Sequence, residues 1–222
     1  VSRRWLPANL GPWRWRGVGA LAACGFALTA QAAWIPAKAG LAQVLLHYAW
    51  QRSCAGEVRP APWPGADTWP IARLTAPIRG RTVYVLAGAS GRTLAFGPGH
   101  VDGTARPGAI GNAALAGHRD THFAFLKELE PGEPLLLETA DGGVYRYRVT
   151  GAQVVHESAT WILDPAPERR LTLITCHPFD AVIPGGAMRY VVAAVEESGG
   201  AELPTPEHWW DLRLAAGPGP HR

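Results

Sequence analysis

Downstream of Ile71 the sequence breaks into short apolar runs separated by glycine, proline and aspartate. This punctuation limits the fold more than any other feature. The runs are 82–87 (TVYVLA), 92–96, 110–116 (IGNAALA), 134–139 (PLLLET), 144–150 (VYRYRVT), 152–156, 171–175 (LTLIT) and 189–195 (RYVVAAV). Each has strand length, is rich in Val, Leu and Tyr, and is closed off by residues that end regular structure. About eight short strands with little helix predict a mainly β domain, either a closed barrel or a sandwich. Ala140-Asp141-Gly142-Gly143 predicts a hairpin turn, because Asp-Gly and Gly-Gly tolerate positive φ. His122 to Leu129 (HFAFLKEL) predicts one short helix.

The region before Ile71 reads differently. Residues 17–35 (GVGALAACGFALTAQAAWI) contain no charge, and the run is just long enough to cross a bilayer as a helix. Arg3, Arg4, Arg14 and Arg16 precede it, and Trp13, Trp15 and Trp34 flank it. Basic residues stay on the cytoplasmic side and aromatics favour the interface, so the remainder of the chain is expected outside. An uncleaved signal anchor, a signal peptide cut near Ala30-Gln31-Ala32 and a buried core helix all fit the run. Residues 38–54 place Leu41, Val44, Leu45, Tyr48 and Ala49 at helical spacing, which predicts an amphipathic helix on the domain or the lipid surface. Residues 59–70 (RPAPWPGADTWP) cannot continue a helix and predict an extended strap. The expected organisation is a basic cytoplasmic segment at 1–16, a membrane anchor at 17–36, helix and strap at 37–70, a β domain at 71–197 and a flexible tail at 198–222.

The formal charge of +3 is mild and the cations are scattered, which argues against a nucleic-acid partner. Three cysteines cannot make a complete disulfide framework, and none has zinc-site spacing, so neither a structural metal nor a cofactor is expected. Cys24 falls inside the apolar run, and Cys54 at the end of the amphipathic helix reads as a free bystander thiol. Cys176 is different. It stands at the end of a strand-like run, LTLITC, just before Pro178, where a rigid strand meets a loop. A cysteine reacts as its thiolate, which nearby positive charge favours. His118, in AGHRDTHF, suits proton transfer near neutral pH, and Arg189, in GGAMRYVV, offers donors to a developing oxyanion.

These three motifs, in this order, resemble the sortase family, which carries a His motif, a TLxTC motif on a strand and an Arg on the following strand. His118 and Cys176 are 58 residues apart, and Arg189 lies 13 residues beyond the cysteine. The resemblance implies an eight-stranded sortase-type β-barrel with short helices, preceded by a transmembrane helix and an amphipathic helix. It makes Cys176 the nucleophile, His118 its acid/base partner and Arg189 the stabiliser of substrate and oxyanion, with Thr175 and Thr172 as the motif threonines. The segments WIPAKAGLAQVLLHYAW, VLAGASGRTLAFGPGH and TCHPFDAVIPGGAMRYVV are similar to the class GN, or marine proteobacterial, sortases of Gram-negative bacteria. Gly65 in PWPGAD stands where that class commonly has Trp. The class implies an inner-membrane protein with its catalytic domain in the periplasm. Its partners would be an exported protein with a C-terminal LPxTG-like sorting signal, an amine acceptor and inner-membrane lipid.

Several neighbours compete for roles. His122, His177 and His100 are rival bases, although His177 should point to the opposite face of the strand from Cys176. Asp120 either orients His118 or, the preferred reading, caps the short helix starting near Thr121. Arg119 rivals Arg189 and is expected to pair with a carboxylate or a backbone carbonyl. Leu203-Pro204-Thr205-Pro206 lacks a Thr-Gly ending and reads as tail, and no stretch reads as a calcium loop. A cysteine hydrolase on the same scaffold and a non-catalytic membrane-attached barrel are the alternative functions.

Overall fold

The computed structural model describes residues 12–181 and 185–197, and the expected basic residues Arg3 and Arg4 and the tail from Ser198, with Leu203-Pro204-Thr205-Pro206 and Trp209-Trp210, lie outside them. The chain forms two compact units, Val1–Ala42 and Gln43–Arg222. In the first, residues 12–42 are continuous helix, the first part of α1 (Pro12–Cys54). The side chains of Val18, Leu21, Phe26 and Leu28 are exposed there, and Thr29 returns its hydroxyl to the carbonyls of Gly25 and Phe26. Among the described residues no helix is long and apolar enough to cross a membrane.

The second unit is an eight-stranded closed barrel. Its strands are β1 (Pro70–Ala76), β2 (Arg81–Leu86), β3 (Gly99–His100), β4 (Gly111–Ala116), β5 (Pro134–Thr139), β6 (Val144–His156), β7 (Arg169–His177) and β8 (Met188–Glu196). Around the barrel they run β1-β2-β3-β4-β7-β8-β6-β5. Most neighbours are antiparallel, but β2 pairs with β3 and β4 with β7 in parallel. The alternation of each strand turns one side inward. Leu74, Val85, Leu115, Leu135, Leu137, Tyr147, Leu171, Leu173 and Val192 fill the interior.

The sequence-predicted strands and these elements differ in instructive ways. Residues 92–96 are not a strand. Gly91–Leu94 form a short helix, α2, whose start is fixed by Ser90 accepting from the Thr93 amide. Runs 144–150 and 152–156 are one strand, β6, with an irregularity in its pairing between Val149 and Gly151. β1 and β3 were hidden, one at the end of the proline-rich strap and the other only two residues long. The hairpin at Ala140–Gly143 forms, with Gly142 at φ 88° and Asp141 accepting from the Thr139 hydroxyl and the Gly143 amide. The short helix is a 3₁₀ turn, η1 (Ala124–Glu128), and a second, η2 (Thr160–Leu163), sits in the β6–β7 loop.

The end of α1 packs on the barrel through a stripe that overlaps only in part, at Ala49 and the half-buried Leu45, with the one read in the sequence. Leu46, Ala49 and Trp50 are buried, while Val44 and Tyr48 are exposed. The helix is apolar on two sides, and the side chosen lets Trp50 and His47 meet Tyr84, His47 Nδ1 lying 2.7 Å from the phenol oxygen. Gln43 donates to the Phe96 carbonyl from the same segment.

Candidate active site

The site is set by strand parity. On β7, Leu171 and Leu173 face the core, as do Leu115 on β4 and Val192 on β8. Residues an odd number of positions away therefore face outward: Thr172 and Cys176 on β7, Asn112 and Ala116 on β4, and Arg189 on β8. Cys176 and Arg189 are direct cross-strand partners in the β7–β8 ladder. The β4–β7 ladder pairs Ala116 with Ile174, and carrying that register on by two residues sets His118 abreast of Cys176. Gly117 extends the pairing, its amide donating to the Ile174 carbonyl at 3.0 Å. Cys176 and Arg189 thus pair on the outer face of β7 and β8, and His118 follows two residues past the end of β4, the strand that flanks β7. His118 is exposed, while Cys176 and Arg189 are half-buried.

The loop carrying His118 is fixed from three sides. Thr175 donates its hydroxyl to the Gly117 carbonyl at 2.7 Å. The His118 carbonyl accepts from the Phe123 amide at 3.0 Å. The fully buried Phe123 ring lies over Gly117 so closely that a Cβ there would sit 2.7 Å from it. Only glycine fits between β7 and that ring, which explains the local pattern Gly117-His118 followed by Phe123.

The remaining predicted residues divide clearly. Thr172 is buried on the outer face and donates to Asn112 Oδ1 at 2.7 Å. His177 turns to the other side, its ring 6.3 Å from that of Tyr190 and 6.4 Å from Phe179. Asp120 is not a cap: η1 begins at Ala124, and Phe123 holds the cap position with no side-chain capping bond, because the helix starts later than the sequence suggested. Arg119 donates to the Ala181 carbonyl at 2.9 Å, the backbone pairing expected of it. His100 is taken up by the Ala105 carbonyl and the Thr104 hydroxyl. His122 titrates below the ordinary histidine value of 6.5, first because burial disfavours its cation and then because His118 adds like charge. Cys54 is exposed, and partial desolvation by its surroundings pushes its thiol pKa upward against the opposing charge of Arg73. Among the described residues no group of His, Cys, Asp and Glu could hold a metal ion.

Two residues were not singled out from the sequence. Asn112 is 3% exposed and uses its whole carboxamide: Nδ2 donates to the carbonyls of Ile162 (2.9 Å) and Asp164 (3.1 Å), and Oδ1 accepts from Thr172. It ties η2 to the outer face of β4 and β7. A polar residue inside the apolar run IGNAALA, in phase with His118, was the available signal. Glu157 accepts from Arg189 Nη2 at 2.7 Å, and nothing local in the sequence marks it.

Comparison with known proteins decides the family. A profile described as the Sortase domain matches residues 74–197, more than half of the chain. The chain belongs to the sortase family. It is 39% identical over 87 residues to Sortase SrtE1 of Streptomyces coelicolor, covering 34% of this chain and 25% of that protein. It is 34% identical over 110 residues to Sortase D of Bacillus subtilis, covering 49% of this chain and 54% of that one. The chain thus spans about a quarter and about half of the length of these two relatives. Among solved structures, a Clostridium perfringens Sortase D5 transpeptidase matches with a TM-score of 0.52 and 27% identity, covering 59% of this chain and 80% of that chain. The matched span of the sortase profile contains His118, Cys176 and Arg189 together with every strand of the barrel except β1, which it enters part-way.

Proposed function

We propose that this sortase is a cysteine transpeptidase of class GN that cleaves an LPxTG-like sorting signal on an exported protein and transfers the cut chain to an amine. The observation that carries the reading is the pairing of Cys176 with Arg189 across β7 and β8, with His118 just past the end of the neighbouring β4. In this reading the Cys176 thiolate attacks the carbonyl carbon of the signal's Thr–Gly bond, and Arg189 N–H groups stabilise the oxyanion. The C–N bond breaks as His118 gives a proton to the leaving amine, which leaves a thioester on Cys176. An incoming amine then attacks the thioester, passes its proton to His118 and releases the thiolate. Thr172 and Thr175 support the strand and the His118 loop. The class reading rests on segments beside the core motifs, WIPAKAG and PWPGAD among them. By the same reading the uncharged run 17–36 is a single-pass inner-membrane anchor, with the barrel in the periplasm.

The test is turnover of a sorting-signal peptide with and without an added amine, followed by mass spectrometry. Wild-type protein should give a thioester adduct on Cys176 and an amine-dependent product. Cys176→Ala should lower turnover by at least about 10³-fold, because the covalent intermediate cannot form. A product formed only with water, whatever the amine, would replace transpeptidation with hydrolysis. Undiminished turnover in Cys176→Ala would remove Cys176 as the nucleophile and the thioester mechanism with it. Alkaline extraction of membranes tests the anchor, since an embedded chain stays in the pellet.

A further inference from the structure

We infer that Glu157 is a positioning residue that holds the Arg189 guanidinium in its working orientation before substrate arrives. This inference rests on the transpeptidase reading. Glu157 lies immediately past β6, and the β6–β8 ladder pairs Val155 with Arg189. Two residues on, Glu157 shares the face of Arg189 as its diagonal neighbour. Its amide is fixed to the Ala187 carbonyl at 2.7 Å, so the backbone that carries the carboxylate is itself held. The carboxylate accepts from Arg189 Nη2 at 2.7 Å, and it is the one acidic partner of that arginine among the described residues.

A guanidinium has five N–H donors. Here Nη1 donates to the carbonyls of Gly186 (2.5 Å) and Met188 (3.0 Å), and Nη2 to Glu157. Those three contacts leave two donors for a substrate oxygen. The two carbonyls lie within three residues of Arg189 and belong to its own turn. Glu157 comes from 32 residues away and ties the group to a second strand. An arginine side chain has wide rotamer freedom, and ordering it in advance removes that ordering from the chemical step. The carboxylate also offsets part of the positive charge beside the thiol, so its contribution is orientation rather than added field. A neutral hydrogen-bonding replacement should therefore serve nearly as well.

The experiment measures kcat and KM for a sorting-signal peptide in four variants, with melting curves of each and the Arg189 Nε–Hε NMR signal of those that keep the arginine. Glu157→Ala should lower kcat about tenfold while KM moves less than about threefold, and the Arg189 signal should move toward the free-arginine position. Glu157→Gln should restore kcat to within about threefold of wild type. In an Arg189→Ala background, adding Glu157→Ala should cost nothing more, because Glu157 acts through the arginine. Active wild-type protein whose kcat ignores Glu157→Ala overturns the inference, and so does an undiminished Glu157 effect once Arg189 is gone. Inert wild-type protein instead overturns the transpeptidase reading, and the catalytic side of this inference falls with it.

Discussion

The two faces of β4, β7 and β8 are built by different forces. Inward, Leu115, Leu171, Leu173, Val192 and Ala194 are fully buried, and what holds them is nondirectional burial of apolar surface. Outward, the same strands carry Asn112, Thr172, Cys176 and Arg189, with His118 just past β4, and hydrogen bonds of fixed direction hold Asn112, Thr172 and Arg189. The backbone is shared, so the rigidity made inside is delivered outside. A candidate nucleophile on an exposed loop would have freedom that Cys176, one ladder position from the core, does not have. The inner face should therefore govern stability and the outer face activity, and substitutions can separate the two.

The largest effect on stability should come from the inner face. Leu173→Ala removes a fully buried side chain from the centre of β7 and should cost about 2–5 kcal/mol, read from urea unfolding. Turnover per folded molecule should stay close to wild type, since Leu173 points away from the site. A large loss of kcat in the folded fraction would mean that the two faces are not separable. Gly117→Ala sits on the boundary. The added Cβ meets the Phe123 ring at 2.7 Å, and overpacking of that kind costs about 1–3 kcal/mol. Because Gly117 precedes His118, kcat should also fall, by up to about 10²-fold for a displacement near 1 Å. Normal kcat in the folded protein would show that Phe123 does not set the position of His118.

The unequal legibility of the two faces follows from the same difference. Burial leaves a trace in one strand at a time, as alternation, and so the barrel could be read from short punctuated runs. The agreement in strand number nonetheless concealed compensating errors. β3 is too short to show a period, and its place depends on Gly99 meeting Gly88, where a Cβ would come within 2.1 Å of the Gly88 carbonyl oxygen. β1 opens on Pro70, a residue that a strand accepts at its first position, so it merged with the strap. Residues 92–96 looked like a strand, whereas the Ser90 cap makes 91–94 helical. On the outer face Cys176, His118 and Arg189 were legible because each closes or opens a recognisable run. Glu157 and Asn112 were not, because their partners lie 32 and 60 residues away and only the closed barrel brings them together.

A smaller effect is expected where the outer face is held by polar contacts. Asn112→Ala leaves the buried Thr172 hydroxyl without its acceptor and the Ile162 and Asp164 carbonyls without their donor, at a cost of about 1–3 kcal/mol. η2 should then exchange its amide hydrogens faster while β7 keeps its protection. Adding Thr172→Val removes the orphaned hydroxyl and should recover part of the loss. If the double variant is no more stable than Asn112→Ala, the hydroxyl was not the costly group.

The smallest effect concerns pH. His122 titrates below 6.5, with burial the larger cause and His118 the second, while the Ala95 carbonyl and Asp120 pull the other way. A histidine with a lowered folded-state pKa binds fewer protons than its unfolded counterpart, so its contribution to stability is complete above 6.5 and is lost as pH falls toward the folded value. Ring NMR should therefore show the His122 midpoint under 6.5 in the wild-type chain. His118→Ala should raise that midpoint by removing the like charge, yet leave it below 6.5 because the burial remains. Asp120→Asn should lower it. A midpoint at or above 6.5, or one indifferent to His118→Ala, would mean that the two histidines do not share an environment. The outer face would then be electrostatically as well as geometrically separate from the packing underneath.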